Sequence, residues 1–145
     1  MRHQTRDMRQ ETEKSGRRFR SIKAWQRADD LVASMYDVTR TFPKDELYGL
    51  ISQMRRAAVS VAANIVEGSS RRSRREYLQF LSVAKASLSE LSYYLHLSSR
   101  LAYLTATQFA DLDGMCEETA RTLYGLTQSV SVEVDDEAAH VSPHV

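Results

Sequence analysis

The distribution of proline constrains the fold of this chain more than any other feature of its sequence. The chain has only two prolines, Pro43 and Pro143, so residues 44–142 contain none. Proline interrupts a helix because it lacks a backbone N–H and its ring clashes with the preceding turn. A long proline-free stretch in a chain with only five glycines is typical of long helices.

Composition places the chain among ordinary single-domain proteins. At 145 residues, with 42% hydrophobic and 27% charged residues, it is long enough to bury one core. The single cysteine, Cys116, excludes an intramolecular disulfide and a cysteine-based zinc site. The sequence has neither an apolar run of membrane-spanning length nor a signal-peptide core. We therefore expect a cytoplasmic protein without a membrane partner.

Apolar residues recur at helical spacing in four segments. The first covers about residues 22–42 and the second about 48–67, after which Gly68 is expected to end the helix in the left-handed conformation. The third is expected to run to about Tyr103 and the fourth to about Val130. Four amphipathic helices joined by short connections predict an all-α, antiparallel up-and-down four-helix bundle.

Two capping boxes predict where the third and fourth helices begin. Ser73 is followed three residues later by Glu76, and Thr105 by Gln108. In this motif each side chain accepts a hydrogen bond from the backbone N–H of the other residue. The bundle is then expected to occupy residues 22–130.

Charge is distributed unevenly along the chain. Residues 1–104 carry 19 Lys and Arg against 11 Asp and Glu, a balance of +8, whereas residues 105–145 carry one basic residue against eight acids, a balance of −7. We expect a flexible basic arm at 1–21 and a disordered acidic tail at 131–145. The polarity indicates a basic face for polyanions, head-to-tail attraction between subunits, or simply solvated faces.

Arginines cluster at the predicted start of the third helix, where free N–H groups and the helix dipole favour anions. A phosphate backbone of RNA or DNA is a suitable target, because such contacts need charge and not base readout. The alternative is a solvated turn whose arginines pair with acids of the same or another subunit. The predicted nucleic-acid-binding residues are Arg17, Arg18, Arg20, Lys23, Arg27, Arg71, Arg72, Arg74 and Arg75.

A polar seam is predicted between the second and third helices. Small residues on both would allow a close approach, with Ser60 near Ala84. Arg55 or Arg56 is expected to pair with Glu90, and Asn64 and Glu67 are expected to satisfy backbone groups of the turn. The residues of this predicted seam are Arg55, Arg56, Ser60, Asn64, Glu67, Ser87 and Glu90.

The sequence shows no pattern typical of catalysis. A di-metal bundle needs Glu-x-x-His pairs, and no histidine lies at that spacing from Glu67 or Glu90. A glycine-rich phosphate loop and a GxSxG elbow are both absent. Cys116 is flanked by Met115 and acidic residues, which favours a packing role. We therefore expect a non-enzymatic protein without metal or cofactor.

Three stretches resemble a known family: "KAWQRADDLV", "FPKDELYGLISQMRRAAVSVAANIVEG" and "REYLQFLSVAKASLSELSYYL". The family comprises bacterial four-helix-bundle proteins encoded in intervening sequences of the large-subunit ribosomal RNA gene. The resemblance covers about residues 22–128, and the chain departs from the pattern at Ala62, where members often have proline. It implies a ring-like homopentamer without established enzymatic activity.

A related group, the accessory proteins of diversity-generating retroelements, implies a basic pentamer that binds nucleic acid and a reverse transcriptase. The residues themselves indicate an oligomer, because Leu97, Leu101 and Leu104 form a second apolar line on the third helix. The preferred interpretation is a homo-oligomer that binds nucleic acid, with structured RNA or an RNA-containing complex as the expected ligand. The alternative is a protein-interaction scaffold, such as an accessory subunit of a reverse transcriptase.

Overall fold

A computed structural model of the chain describes residues 18–140, with the side chain of His140 excluded. Short 3-10 segments at Arg18–Ser21 and Lys44–Glu46 precede the first and second α-helices, and the described residues contain no strand. The predicted all-α four-helix fold is confirmed. The helices are α1 (Lys23–Thr39), α2 (Leu50–Ser69), α3 (Arg74–Arg100) and α4 (Ala106–His140).

Each helix packs against the next in the chain, and α4 packs back against α1. The largest contact joins α2 and α3. Because the connections are short, consecutive helices run in opposite directions. One end of the bundle therefore carries the starts of α1 and α3 and the ends of α2 and α4.

All four helices contribute to one apolar core. Leu31, Met54, Leu91 and Leu123 are among its buried side chains, one from each helix. The buried polar residues Thr39, Ser98 and Thr119 each donate a hydrogen bond to the backbone carbonyl one turn earlier, at 2.6, 2.7 and 2.8 Å. A buried hydroxyl with such an acceptor avoids the cost of an unpaired polar group.

The capping-box residues stand at the helix starts. The Gln108 N–H donates to Thr105 Oγ1 at 3.1 Å, and the Thr105 N–H donates to Gln108 Oε1 at 2.9 Å. At the start of α3, the Glu76 N–H donates to Ser73 Oγ at 3.4 Å. These bonds satisfy N–H groups that have no acceptor within the helix.

The predicted left-handed end at Gly68 is wrong. No described glycine has a positive φ, and α2 continues through Gly68 to Ser69. Gly68 instead allows a close approach, since an added Cβ would lie 2.8 Å from Phe80 Cβ and 2.8 Å from Tyr77 Cδ2. The one left-handed residue among those described is Ala102, with φ of 59°.

Ala102 closes α3 in a Schellman motif. Its N–H donates to the Ser99 carbonyl at 3.1 Å, and the Tyr103 N–H donates to the Ser98 carbonyl at 2.9 Å. Because this position holds alanine and not glycine or asparagine, the sequence carries no signal for the end of the helix.

The expected disorder of the acidic tail is not found over residues 131–140. These residues extend α4 by about three turns beyond Val130. No glycine or proline lies between Gly125 and Pro143 to interrupt the helix. Residues 141–145, and residues 1–17 of the predicted basic arm, lie outside the described part of the chain.

Candidate nucleic-acid interface

The turn between α2 and α3 brings four arginines to one end of the bundle. We call residues 70–75 the arginine turn. Its backbone is fixed by hydrogen bonds, because the Ser70 N–H and hydroxyl both donate to the Glu67 carbonyl and the Arg71 N–H donates to the Gly68 carbonyl. The arginine side chains therefore extend from an ordered base at the start of α3.

Two of the four arginines are held by acidic residues. Arg71 Nη2 lies 2.9 Å from Glu67 Oε1, and its guanidinium lies over the ring of Phe80 at 4.8 Å from the centroid. Arg74 Nη1 lies 2.7 Å from Glu133 Oε2 of α4. The predicted alternative, in which turn arginines pair with acids of the same chain, thus describes these two.

The other two arginines have no such partner. Arg72 and Arg75 are exposed and form no ion pair with an acidic residue of the described chain. Arg75 lies in the first turn of α3 and Arg72 directly precedes its N-cap residue Ser73, so both are close to the backbone N–H groups and the positive end of the helix dipole. They are the arginines of the turn that are most available to an anion.

The 3-10 segment before α1 adds basic residues at the same end. Arg18 and Arg20 are exposed. Gln26 Nε2 donates to the Arg20 carbonyl at 2.8 Å, and Phe19 packs edge-on against Trp25 with centroids 4.8 Å apart. These contacts fix the segment against α1, and the segment also touches α2.

The remaining predicted basic residues differ in position. Lys23 is exposed at the start of α1, at the same end of the bundle as the arginine turn. Arg27 instead faces α4, with its Nε 3.9 Å from Glu118 Oε1. Arg17 lies outside the described residues.

The contact between α2 and α3 contains a small polar cluster. Ser60 Oγ and Ser87 Oγ share a hydrogen bond of 2.7 Å. Asn64 Nδ2 donates to the Ser60 carbonyl at 2.8 Å and to Ser60 Oγ at 3.1 Å. Asn64 therefore bonds within α2, and the expectation that it satisfies the backbone of the turn is wrong.

The predicted pairing of an arginine with Glu90 is also wrong. Arg55 Nε donates to Thr39 Oγ1 at 3.0 Å, and its guanidinium lies 4.5 Å from the centroid of the Tyr36 ring on α1. Arg56 and Glu90 form no ion pair within residues 18–140. The Glu67 carboxylate pairs with the Arg71 guanidinium and does not accept a hydrogen bond from a backbone N–H of the turn. The long arginine side chain can reach several acceptors, and Arg55 contacts Thr39 and Tyr36 of α1.

An exposed apolar surface lies beside Arg55 and Arg56, and the sequence analysis does not predict it. Tyr48 is 93% exposed and, with Tyr36, Leu47 and Val59, borders a hollow of about 590 Å³. Arg55 and Arg56 also border it. We call this surface the tyrosine hollow. Its signal in the sequence is the pair of apolar residues Leu47 and Tyr48 between Glu46 and the start of α2.

A second groove lies between α3 and α4 and has a volume of about 460 Å³. It is bordered by apolar side chains including Leu88, Leu123 and Tyr124. Cys116 also borders it, and burial, reinforced by Asp113, raises the pKa of this thiol to about 12. A thiol with so high a pKa is a packing group and a poor nucleophile.

The described helices contain no apolar window of membrane-spanning length. Residues 18–140 also bring together no group of three or more histidine, cysteine or acidic side chains that could hold a metal ion.

Comparison with protein families gives a match to the 23S rRNA-intervening sequence proteins over residues 20–125. The chain belongs to this family. Among solved structures it is similar to a Bacteroides thetaiotaomicron protein described as having unknown function and belonging to the S23 ribosomal protein family. Comparison with curated proteins gives no match.

The Bacteroides protein is 20% identical in sequence, with a TM-score of 0.67. The match covers 72% of this chain and 95% of that one. At this identity the similarity supports the shared fold. The match to the 23S rRNA-intervening sequence proteins includes the arginine turn, the seam and the tyrosine hollow.

Proposed function

We propose that this protein is a non-enzymatic RNA-binding protein that contacts the phosphate backbone through the arginine turn. The observation that carries the proposal is the exposure of Arg72 and Arg75, without acidic partners in the described chain, at the start of α3. Arg18, Arg20 and Lys23 extend the positive surface at the same end of the bundle.

Existing ion pairs do not exclude Arg71 and Arg74 from such contacts. The side chains of Arg74 and Glu133 are 45% and 46% exposed, and those of Arg71 and Glu67 are 41% and 56% exposed. Exposed pairs contribute only about 0–1 kcal/mol. A phosphate can therefore exchange with a carboxylate at either arginine at little cost.

The test compares two double variants in which the same amount of charge is removed. Arg72→Ala with Arg75→Ala removes the available pair, and Arg40→Ala with Arg100→Ala removes exposed arginines from the opposite end of the bundle. Binding to a duplex RNA is measured by fluorescence anisotropy over a range of salt concentrations. We expect the first variant to bind more weakly and to reduce the salt slope by roughly two, about one for each arginine that no longer neutralises a phosphate.

The control variant is expected to bind like the wild type. Equal weakening by both variants would show that only net charge matters and would refute a site at the turn. A strong preference for one RNA sequence would also contradict the proposal, because contacts to phosphate carry no sequence information.

A second function, assembly with further copies of the chain, is favoured by the tyrosine hollow. Tyr48 is nearly fully exposed beside Leu47 and Val59, and such a contiguous apolar surface is typical of a protein interface. Its two arginines, Arg55 and Arg56, are complementary to acidic residues of a neighbouring copy of the chain. We propose that this surface joins subunits of a homo-oligomer, with the pentamer of the family resemblance as its expected form.

Native mass spectrometry tests this assembly. Tyr48→Ala should dissociate the oligomer, whereas Tyr124→Ala, at a tyrosine that is 66% exposed on α4, should leave it intact. An intact oligomer in Tyr48→Ala, or a monomeric wild type, would refute the role of the hollow. A reverse transcriptase or another protein that co-purifies after nuclease treatment, and is absent with Tyr48→Ala, would assign the hollow to that partner instead.

A further inference from the structure

The acidic end of α4 lies against the arginine turn. The pair between Arg74 Nη1 and Glu133 Oε2, at 2.7 Å, joins the first residue of α3 to a residue near the end of α4. Glu133 also lies close enough to Tyr77 to affect the pKa of its hydroxyl, which burial chiefly raises, while Arg74 acts in the opposite direction. The two helix ends therefore form a charged contact.

Helical spacing places further acids beside this contact. Asp136 and Glu137 follow Glu133 by three and four residues, so they share its face of α4. They lie about 5 Å further along the helix axis. Because α4 runs antiparallel to α3, that direction leads beyond Arg74 to the level of the turn that carries Arg71 and Arg72.

This acidic end is a poor helix when considered alone. Like charges at Glu133 and Glu137 repel one another at the i,i+4 spacing. Acidic residues near a helix C-terminus also interact unfavourably with the helix dipole. Arg74 offsets part of both effects through its pair with Glu133, so we expect the last turns of α4 to be stabilised by the arginine turn.

We propose that the acidic end of α4, residues 133–137, is a competitive cover for the arginine turn. RNA must displace Glu133 to reach Arg74, whereas Arg72 and Arg75 stay accessible. The cover lowers the affinity of the arginine turn for RNA by the free energy needed to break the exposed pair between Arg74 and Glu133, about 0–1 kcal/mol or up to roughly fivefold in affinity. This proposal rests on the proposed RNA-binding function and adds its regulation.

The test again uses two variants with equal changes in charge. Glu133→Gln, Asp136→Asn and Glu137→Gln neutralise the cover. Asp111→Asn, Asp113→Asn and Glu117→Gln neutralise three acids in the first half of α4, about 24 Å or more from Glu133 by helical rise.

Affinity for a duplex RNA at about 0.1 M salt is the measurement for both variants. We expect the cover variant to bind roughly fivefold more tightly than the wild type, the effect of releasing one exposed ion pair. The control variant should change affinity by less than about twofold. The substitutions are nearly isosteric, and circular dichroism checks that both variants fold.

A second measurement follows the cover itself. Amide hydrogen exchange over residues 131–139 should become faster when RNA is added to the wild type, because the displaced acids no longer stabilise the last turns. Arg74→Ala should produce faster exchange in the same residues without RNA.

The outcomes separate the two proposals. Equal tightening in both three-residue variants, or slower exchange at the end of α4 with RNA, would refute the cover while leaving RNA binding intact. If Arg72→Ala with Arg75→Ala weakens RNA binding and the cover variant leaves it unchanged, the cover alone is refuted. Failure of every variant to bind RNA at low salt would refute the proposed function, and the cover with it.

Discussion

Gly68 provides the most direct test of the packing between α2 and α3. A Cβ at this position would lie 2.8 Å from Phe80 Cβ and 2.8 Å from Tyr77 Cδ2. Carbon atoms in favourable contact are about 3.5–4.0 Å apart. Gly68→Ala must therefore move α3 or α2 by roughly 1 Å, because the contact at Phe80 is with a Cβ that has no freedom to rotate away.

The expected change in stability combines two opposing effects. Alanine is favoured over glycine within a helix by about 1 kcal/mol. Overpacking a close contact costs about 1–3 kcal/mol. With contacts to two residues at once, we place the cost at the upper end and expect Gly68→Ala to lower the free energy of unfolding by about 1–2 kcal/mol.

Gly125 is a matched control, because it also lies within a helix and an added Cβ there would meet nothing within 4 Å. Gly125→Ala has the gain in helix preference without the clash, so it should raise the free energy of unfolding by about 0.5–1 kcal/mol. Urea denaturation at one fixed protein concentration measures both variants. A Gly68→Ala protein as stable as the wild type would refute the argument that glycine is needed for close packing.

Two further predictions follow from single residues. Ala102→Gly should stabilise the protein by about 1 kcal/mol in thermal unfolding, since the left-handed conformation of residue 102 costs alanine about 1–2 kcal/mol and glycine almost nothing; unchanged stability would contradict this. Burial raises the pKa of Cys116 to about 12, above the unfolded value of about 8.5. The buried neutral thiol therefore contributes its whole stabilising free energy below pH 8.5, and this contribution is lost as pH rises towards 12. The free energy of unfolding of the wild type should therefore fall relative to Cys116→Ala by about 1.4 kcal/mol per pH unit above pH 9, and parallel pH profiles would show that the thiol ionises freely.

The number and order of the helices were predictable because they depend on local patterns. Apolar periodicity and the capping pairs are signals within a few residues, and the structure shows four helices with Ser73 and Thr105 at the starts of two of them. Helix ends were less predictable. Gly68 was interpreted as a conformational signal when its role is to admit the side chains of Tyr77 and Phe80, which only the packed structure reveals.

Partners of long side chains were the least predictable feature. Counting along two antiparallel helices places Ser60 near Ala84, and the hydrogen-bonding partner of Ser60 is Ser87, about one turn further along α3. The same counting places Arg56 near Glu90 and predicts a pair between Glu90 and Arg55 or Arg56, but the Arg55 guanidinium contacts Thr39 and Tyr36 of α1. Short side chains contact what lies opposite them, whereas an arginine selects among all acceptors within its reach.

Fold topology explains why opposite charges that are distant in the sequence meet in the structure. An up-and-down bundle with an even number of helices returns the end of its last helix to the end where its first helix begins. The basic residues around α1 and the arginine turn lie there, so the acidic end of α4 must arrive beside them, as the contact between Arg74 and Glu133 shows. Composition alone predicts a disordered tail because it considers these acids without the fold that brings Glu133 to Arg74. An odd number of helices would have carried the same acids to the opposite end, leaving the arginine turn uncovered and the last turns of the helix without cationic partners.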